Sequence, residues 1–462
     1  MKNKTAKPQK GKHKNKKIQF NEQWEKVHPD AAGIDIGSRE HYVCVPPDRD
    51  PERVRRFGTT TPELEAMAQW LRRCRITTVA LEATGIYWIA TFQILEKQGF
   101  QVVLVNPRQV KNVSGRKTDV QDCQWIQKLH TFGLLGSSFR PADPYCVARS
   151  YVRLREDLVH HRSTQIQLMQ KALHQMNVQL SHVLSDISGE SGLAIIVAIL
   201  AGQRNPVALA ALANKRVKSS KEQIAQALVG DYRSEHLFAL QTAYDLYLAY
   251  EGKIRACDDR LVKELENLPN QVDLQRKPLA PAPKNKQIDE GLRAGLYLKL
   301  GVDITAIEGV GARVGLAMLT EVGPDWGAFR SEKDFCSWLG LCPDNRISGG
   351  KILSSRTRRV VNRLADALRM AATTLERSQS ALGAFHRRMK AKLGAAEAIT
   401  ATAHKLARLI YRIIKHGEAY VQEGLQQYEE KNRQRKLNAV RKMAESLGLK
   451  LSEAQELTAS VS

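Results

Sequence analysis

Between Ala31 and a helix that opens at Thr118, the chain runs through three strand-like segments, a helix, a strand, a helix and a further strand. Few folds accept that order. The first strand is Ala32-Gly-Ile-Asp-Ile-Gly37, an apolar run ending in a turn, and Tyr42-Val-Cys-Val45 returns with high β-propensity. A short third strand is predicted near Val54 to Thr59. Pro62 then opens a helix through about Arg73, in which Leu64, Met67, Ala68 and Leu71 recur at helical spacing. Thr77 to Leu81 reads as a strand, Ile86 to Gln98 as a helix stopped by Gly99, and Gln101 to Val105 as a strand.

A hairpin followed by βαβ units in this order is what an RNase H-like (RuvC-like) fold requires, and that fold is predicted for residues 26–140. Its first and fourth strands are neighbours, which would let two carboxylates approach. Asp35 sits between Ile34 and Ile36, where a charge is costly unless something cationic pairs with it. Glu82 lies at the exit of the fourth strand. Thr118-x-x-Gln121 is a capping-box pattern that fixes a helix start, so Asp119 and Asp122 stand one turn apart. Four converging carboxylates would repel one another, and hard divalent cations relieve that. Mg²⁺ takes carboxylate oxygens while keeping positions open for phosphate, and two such ions can clamp a phosphodiester. Taken singly, Asp119 could be a favourable charge at a helix N-terminus and Glu82 a strand end in solvent. Asp35, Glu82, Asp119 and Asp122 together read as Mg²⁺ ligands. Asp35-Ile-Gly-Ser38 also matches the opening phosphate strand of actin-like ATPases and sugar kinases. Those phosphotransferases need a second glycine-rich phosphate loop, and no convincing copy is present.

Asp143-Pro144 starts a helix, and no Gly or Pro intervenes until Gly189, so one long helix is predicted. Ile166, Met169, Leu173, Met176, Leu180 and Val183 alternate steps of three and four, which is coiled-coil spacing. A second series runs Leu237, Leu240, Tyr244, Tyr247, Ile254, Leu261, Leu265 and Leu268, weakened at Glu251 and Asp258. The two could pair within one chain, join two protomers, or pack as ordinary helices. A Pro-rich stretch from Pro269 to Pro283 reads as a linker. The predicted organisation is therefore multidomain α/β plus α: a basic disordered arm (1–25), the RNase H-like domain (26–140), central long helices with coiled-coil spacing (141–290), a mostly helical domain (291–421) and a charged tail (422–462).

In that last domain Ile307-Glu-Gly-Val-Gly-Ala312 resembles a helix-hairpin-helix turn, where Gly309 and Gly311 would let backbone amides approach a DNA phosphate. A plain tight turn is the bland reading. Ser348-Gly-Gly-Lys351 leaves the serine hydroxyl sterically open, and Lys351 could stabilise an oxyanion or phosphate, although composition alone would make this an ordinary loop. Arg356, Arg358, Arg359 and Arg363, interleaved with Val360, Val361, Leu364 and Leu368, read as a helix with one buried and one phosphate-facing side.

Charge narrows the partners. Of 462 residues, 71 are Lys or Arg and 48 Asp or Glu, leaving +23, and eight lysines precede the first acid, Glu22. Such an excess favours a polyanion. The longest apolar stretch, Leu193 to Gly202, is about half the roughly 20 residues a membrane span needs, so nucleic acid is preferred. The lysine-rich start lacks an apolar h-region, and the seven cysteines contain no C-x-x-C pair, so a cytoplasmic, nucleoid-associated location is expected.

The acidic set, the central helices, Gly309-Val-Gly311, Leu339-Gly-Leu-x-Pro343 and Ser348-Gly-Gly-Lys351, in this order, resemble the insertion sequence 110 transposases, including the 1111 subgroup. The resemblance covers roughly residues 30–140 and 300–380. It implies an RNase H-like domain with a D-E-D-D set at Asp35, Glu82, Asp119 and Asp122, joined to a transposase domain whose active serine is Ser348. It further implies recombination of double-stranded DNA through a covalent serine–DNA intermediate, guided by a structured RNA from the same element, in a homo-oligomer (dimer or tetramer). Where many relatives carry a second serine this chain has Ile347, and Ile352-Leu-Ser-Ser-Arg356 replaces their lysine- and glycine-rich stretch, which leaves Ser354 and Ser355 as weaker alternatives. The competing enzyme reading is an RNase H-like structure-specific nuclease using a metal-activated water.

Overall fold

The computed structural model describes residues 25–110, 118–281 and 289–449. They fall into two compact units, Met1–Phe139 and Arg140–Ser462. Nearly all of the basic arm, part of the Pro-rich stretch (282–288) and the end of the charged tail (450–462) lie outside the described residues.

In the first unit, β1 (Ala31–Ile36), β2 (Glu40–Cys44) and β3 (Val54–Gly58) form an antiparallel meander. β4 (Thr78–Glu82) and β5 (Gln101–Val105) add in parallel at the other edge of β1, giving the order β3-β2-β1-β4-β5. Side chains alternate across this sheet. Ile34, Ile36, Val43, Val45, Val79 and Leu81 bury against α1 (Thr61–Arg73) and α2 (Trp88–Lys97), through Leu64, Met67, Trp70, Leu71, Phe92 and Leu95. After a short α3 (Pro107–Val110), α4 (Asp119–Thr131) packs on β1. Its approach to β1 is set by Gly33, where a Cβ would stand 2.2 Å from the Gln127 backbone nitrogen and 2.6 Å from the Cys123 carbonyl oxygen. Every strand predicted from sequence is present within a residue or two, and α2 starts at Trp88 rather than Ile86.

In the second unit, α5 (Asp143–Gln175) and α10 (Ser234–Asn267) lie antiparallel. Arg155 pairs with Asp258, Arg162 with Glu251 at 2.5 Å, and the His161 ring stacks on Tyr250 at 5.7 Å. The two acids that interrupt the apolar seam in sequence are thus met by arginines of the facing helix, and the two series pair within one chain. The first helix is shorter than predicted. It is capped at Met176, Asn177 takes a left-handed φ of 56°, and Leu180 and Val183 fall on a separate turn, α6 (Leu180–Val183). Asn tolerates that conformation better than most residues, so it ends a helix without Gly or Pro. Around this end α7 (Glu190–Leu200), α8 (Pro206–Ala211) and α9 (Lys221–Ala227) close a core of Met169, Leu173, Ile195, Ile199, Leu209, Ile224 and Leu240. No described helix is long and apolar enough to cross a membrane.

The described part of the Pro-rich stretch is not a free linker. Gln271 N donates to Leu298 O (2.7 Å), and Arg293 donates to Ala280 O (2.8 Å), which ties it to α11 (Glu290–Leu300). Arg293 is itself buried against Asp303 at 2.5 Å. α12 (Ala312–Glu321) and α13 (Glu332–Trp338) follow, and Trp326, Phe329 and Phe335 pack with Tyr411 of α16 (Ala395–His416). Between α13 and α14 (Arg363–Thr374) the chain forms a two-stranded ribbon, β6 (Arg346–Ser348) and β7 (Lys351–Ser354). α15 (Ala381–Leu393) and α16 complete this helical region, and the charged residues after 421 continue as α17 (Glu418–Ser446).

Candidate active site and nucleic-acid contacts

The acidic residues are placed by strand register. Ile34 of β1 pairs with Leu81 of β4, so Asp35 and Glu82 are the next residues along two parallel neighbours. Because Ile34 and Leu81 face the α1–α2 core, Asp35 and Glu82 point to the face on which α4 lies. Both are half-buried. The first turn of α4 carries Asp119 and Asp122, and the Thr118 hydroxyl caps it by accepting from Gln121 N at 3.3 Å, the first half of the expected box.

Two neighbouring groups each feel one of these carboxylates. Tyr42, opposite Asp35 on β2, donates its hydroxyl to Glu40 (3.0 Å). That hydrogen bond, with burial and the negative charges of Glu40 and Asp119, pushes the Tyr42 phenol above its usual range. The buried Cys123 thiol is pushed up by its contact with Cys44 and by burial, with the Asp35 carboxylate adding to both. Glu82 accepts from the Thr84 hydroxyl at 3.2 Å. Asp35 and Glu82 therefore share one sheet face, and α4 lies on that face. As they stand, no three His, Cys, Asp or Glu side chains among the described residues are close enough together to hold a metal ion.

Ser348 is the last residue of β6, and Lys351 the first of β7, paired with it across the ribbon. Gly349 and Gly350 between them have φ of 54° and 74°, as the type I′ turn of a two-residue hairpin demands, and space is open around both. The serine is thus fixed on an exposed hairpin, with Lys351 its nearest cross-strand neighbour, where sequence alone offered a loop. Gly-Gly between short alternating segments was the available signal for it.

The basic helix predicted after this motif does not form as drawn. Residues 355–362 are extended or irregular, and α14 begins only at Arg363, capped by Asn362. Arg356, Arg358 and Arg359 precede it. Arg358 donates to the Ser337 carbonyl (2.6 Å) and hydroxyl (3.0 Å), and Val360 packs at Gly340, which holds the segment out of helix. Arg363 is paired with Glu156 of α5, so its charge is already met within the protein, and Val361 is fully exposed rather than buried.

Gly309 has a φ of 80°, and a Cβ there would crowd Leu375. Gly311 is the N-cap of α12, without a side-chain cap and with nothing within 4 Å of where its Cβ would be. The first amides of α12 are therefore open to an acceptor, and Arg313 is exposed on the same turn. The turn differs from the predicted motif on its other side, where a 3-10 turn (Ile304–Ala306) separates it from α11. Sequence reading gave Tyr42 only a place in a strand and gave Arg313 none.

Comparison with known proteins gives two family matches. Residues 32–178 match a transposase profile named for the D-E-D-D set of the IS110 group, and residues 303–387 match the transposase IS116/IS110/IS902 family. A candidate transposase of Sinorhizobium fredii, y4pF/y4sB, is 26% identical over 370 residues, 77% of each chain. The chain belongs to the IS110 family of transposases and is an enzyme that acts on DNA.

Proposed function

We propose that the protein is a site-specific DNA recombinase that cuts and rejoins strands through a Ser348–DNA ester. The observation that carries this reading is the exposed hairpin that presents Ser348 beside Lys351. The Ser348 oxygen attacks phosphorus, the phosphorus–oxygen bond to one deoxyribose breaks, and the departing oxygen takes up a proton. Lys351 meets the charge that grows on the phosphate oxygens. A DNA hydroxyl then displaces the serine, releasing Ser348 and joining the new strands.

The first unit reads as an RNase H-like domain, which its strand order supports. Its four carboxylates offer only hard oxygen donors, a set that suits Mg²⁺. When bound there by Asp35, Glu82, Asp119 and Asp122, divalent ions would supply positive charge to the phosphodiester. The first amides of α12, reached past Gly309 and Gly311, with Arg356, Arg358 and Arg359, hold flanking phosphates. The basic arm and the net charge of +23 suit a structured guide RNA of the element as a second polyanion. A homo-oligomer, dimer or tetramer, working on double-stranded DNA in the cytoplasm at the nucleoid belongs to the same proposal. The domain limits at residues 25, 140, 290 and 421 belong to the same proposal.

Asp35→Asn keeps size and removes a charge. With Mg²⁺ as the only divalent ion, cleavage of element-end DNA in the presence of the element's RNA should fall at least about a thousandfold, the scale of losing a charge-stabilising group. Folding should be unchanged by circular dichroism. Wild-type cleavage in a folded variant would remove the acidic site from the mechanism.

A further inference from the structure

The ribbon that carries Ser348 has a second face with no role in the chemistry above. Ile347 pairs directly with Ile352, one step below Ser348 and Lys351, and so on the opposite face of the ribbon. The two side chains are 61% and 62% exposed. The register skips Leu353, a bulged residue 70% exposed, between Ile352 and Ser354. Exposed β-branched and aliphatic side chains on a two-stranded ribbon are unusual, because an isolated hairpin is marginal in water and gains nothing from them.

The ribbon's base is tied to the rest of its unit, and its tip is exposed. Asp344 N donates to Arg356 O at 2.9 Å, Pro343 bridges Thr357, and Arg358 is tied to Ser337. From Pro343 to Arg359 the charges are Arg346, Lys351, Arg356, Arg358 and Arg359 against Asp344 alone. An apolar face framed by five cations against one anion fits a polyanion with an apolar interior. A second copy of the chain would bring the same positive ribbon and be repelled.

We infer that Ile347 and Ile352, with Leu353, form a wedge that enters the minor groove of the duplex and opens a base step beside the phosphate that Ser348 attacks. This rests on Ser348 being the residue that meets DNA. Aliphatic side chains are the usual wedges in minor-groove proteins, which kink the duplex by about 20–90°. Set edge-on, the ribbon turns its serine face to the backbone and its isoleucine face to the stacked bases. Pyrimidine–purine steps unstack most easily, so the cut should favour a neighbouring TA or CA step.

The test uses Ser348→Ala as background, so that no chemistry intervenes, and an element-end duplex with dyes at its ends and 2-aminopurine at the step beside the cut. Ser348→Ala should bend the duplex and brighten the 2-aminopurine. Adding Ile347→Ala and Ile352→Ala should abolish both signals and weaken binding about tenfold, with the salt dependence of binding unchanged. Ile347→Met with Ile352→Met should retain most of the bend. Bending and brightening that survive the alanines would overturn the wedge. So would loss of self-association in the DNA-free alanine variants, since it would mean that a second copy covers this face. Isoleucine-dependent bending with no adduct on Ser348 in the parent would keep the wedge and remove the serine reading; an adduct with isoleucine-independent bending would do the reverse.

Discussion

His130 is buried at the end of α4 with its Nε2 2.9 Å from the Thr78 hydroxyl and its ring 4.8 Å from His28. Burial, and then the neighbouring His28, lowers its pKa from 6.5 to about 4. The unfolded chain therefore binds a proton between pH 6.5 and 4 that the folded chain refuses. Stability from this group is complete above pH 6.5 and is lost as pH falls toward 4, by up to about 3 kcal/mol. In urea unfolding, His130→Gln should flatten that part of the pH profile, and an unchanged profile would mean that His130 is protonated in the folded protein. A lone histidine on a helix gives no sign of this in sequence. Asp35 did, because a carboxylate between two isoleucines of a buried strand has few reasons to be there.

Among elements, the seating of α4 on β1 decides where Asp119 and Asp122 stand relative to Asp35. Gly33 permits it, and the atoms a methyl would strike are backbone, which cannot swing away. Gly33→Ala should therefore cost about 3 kcal/mol, the upper end of ordinary overpacking, read as a lower urea midpoint with unchanged slope. A loss under about 0.5 kcal/mol would show that α4 is not packed this tightly. The strands were legible because apolar alternation and punctuation by Gly and Pro set them locally. The end of α5 at Asn177 and the extended run before Arg363 were not, because one depends on a left-handed Asn and the other on Arg358 reaching Ser337. The pairing of α5 with α10 was half legible: spacing gave the seams, and only the facing arginines explain why Glu251 and Asp258 are tolerated.

For the whole molecule, the charge of +23 favours a polyanionic partner, and the order of motifs points to the family. Less legible was the setting of Ser348, which becomes a fixed, exposed group only when Gly349 and Gly350 turn the chain back on itself and bring Lys351 opposite. The central claim is that this serine carries the DNA. Reactions with element-end DNA, Mg²⁺ and the element's RNA, stalled after the first strand cut, should leave DNA on the protein through an alkali-labile ester. Peptide mapping of the trapped complex should place it on Ser348. Ser348→Ala should lose the adduct while still binding nucleic acid, and Ser354→Ala and Ser355→Ala should keep it. An adduct on any other residue, or strand cutting with no adduct as a metal-activated water would give, would contradict the account.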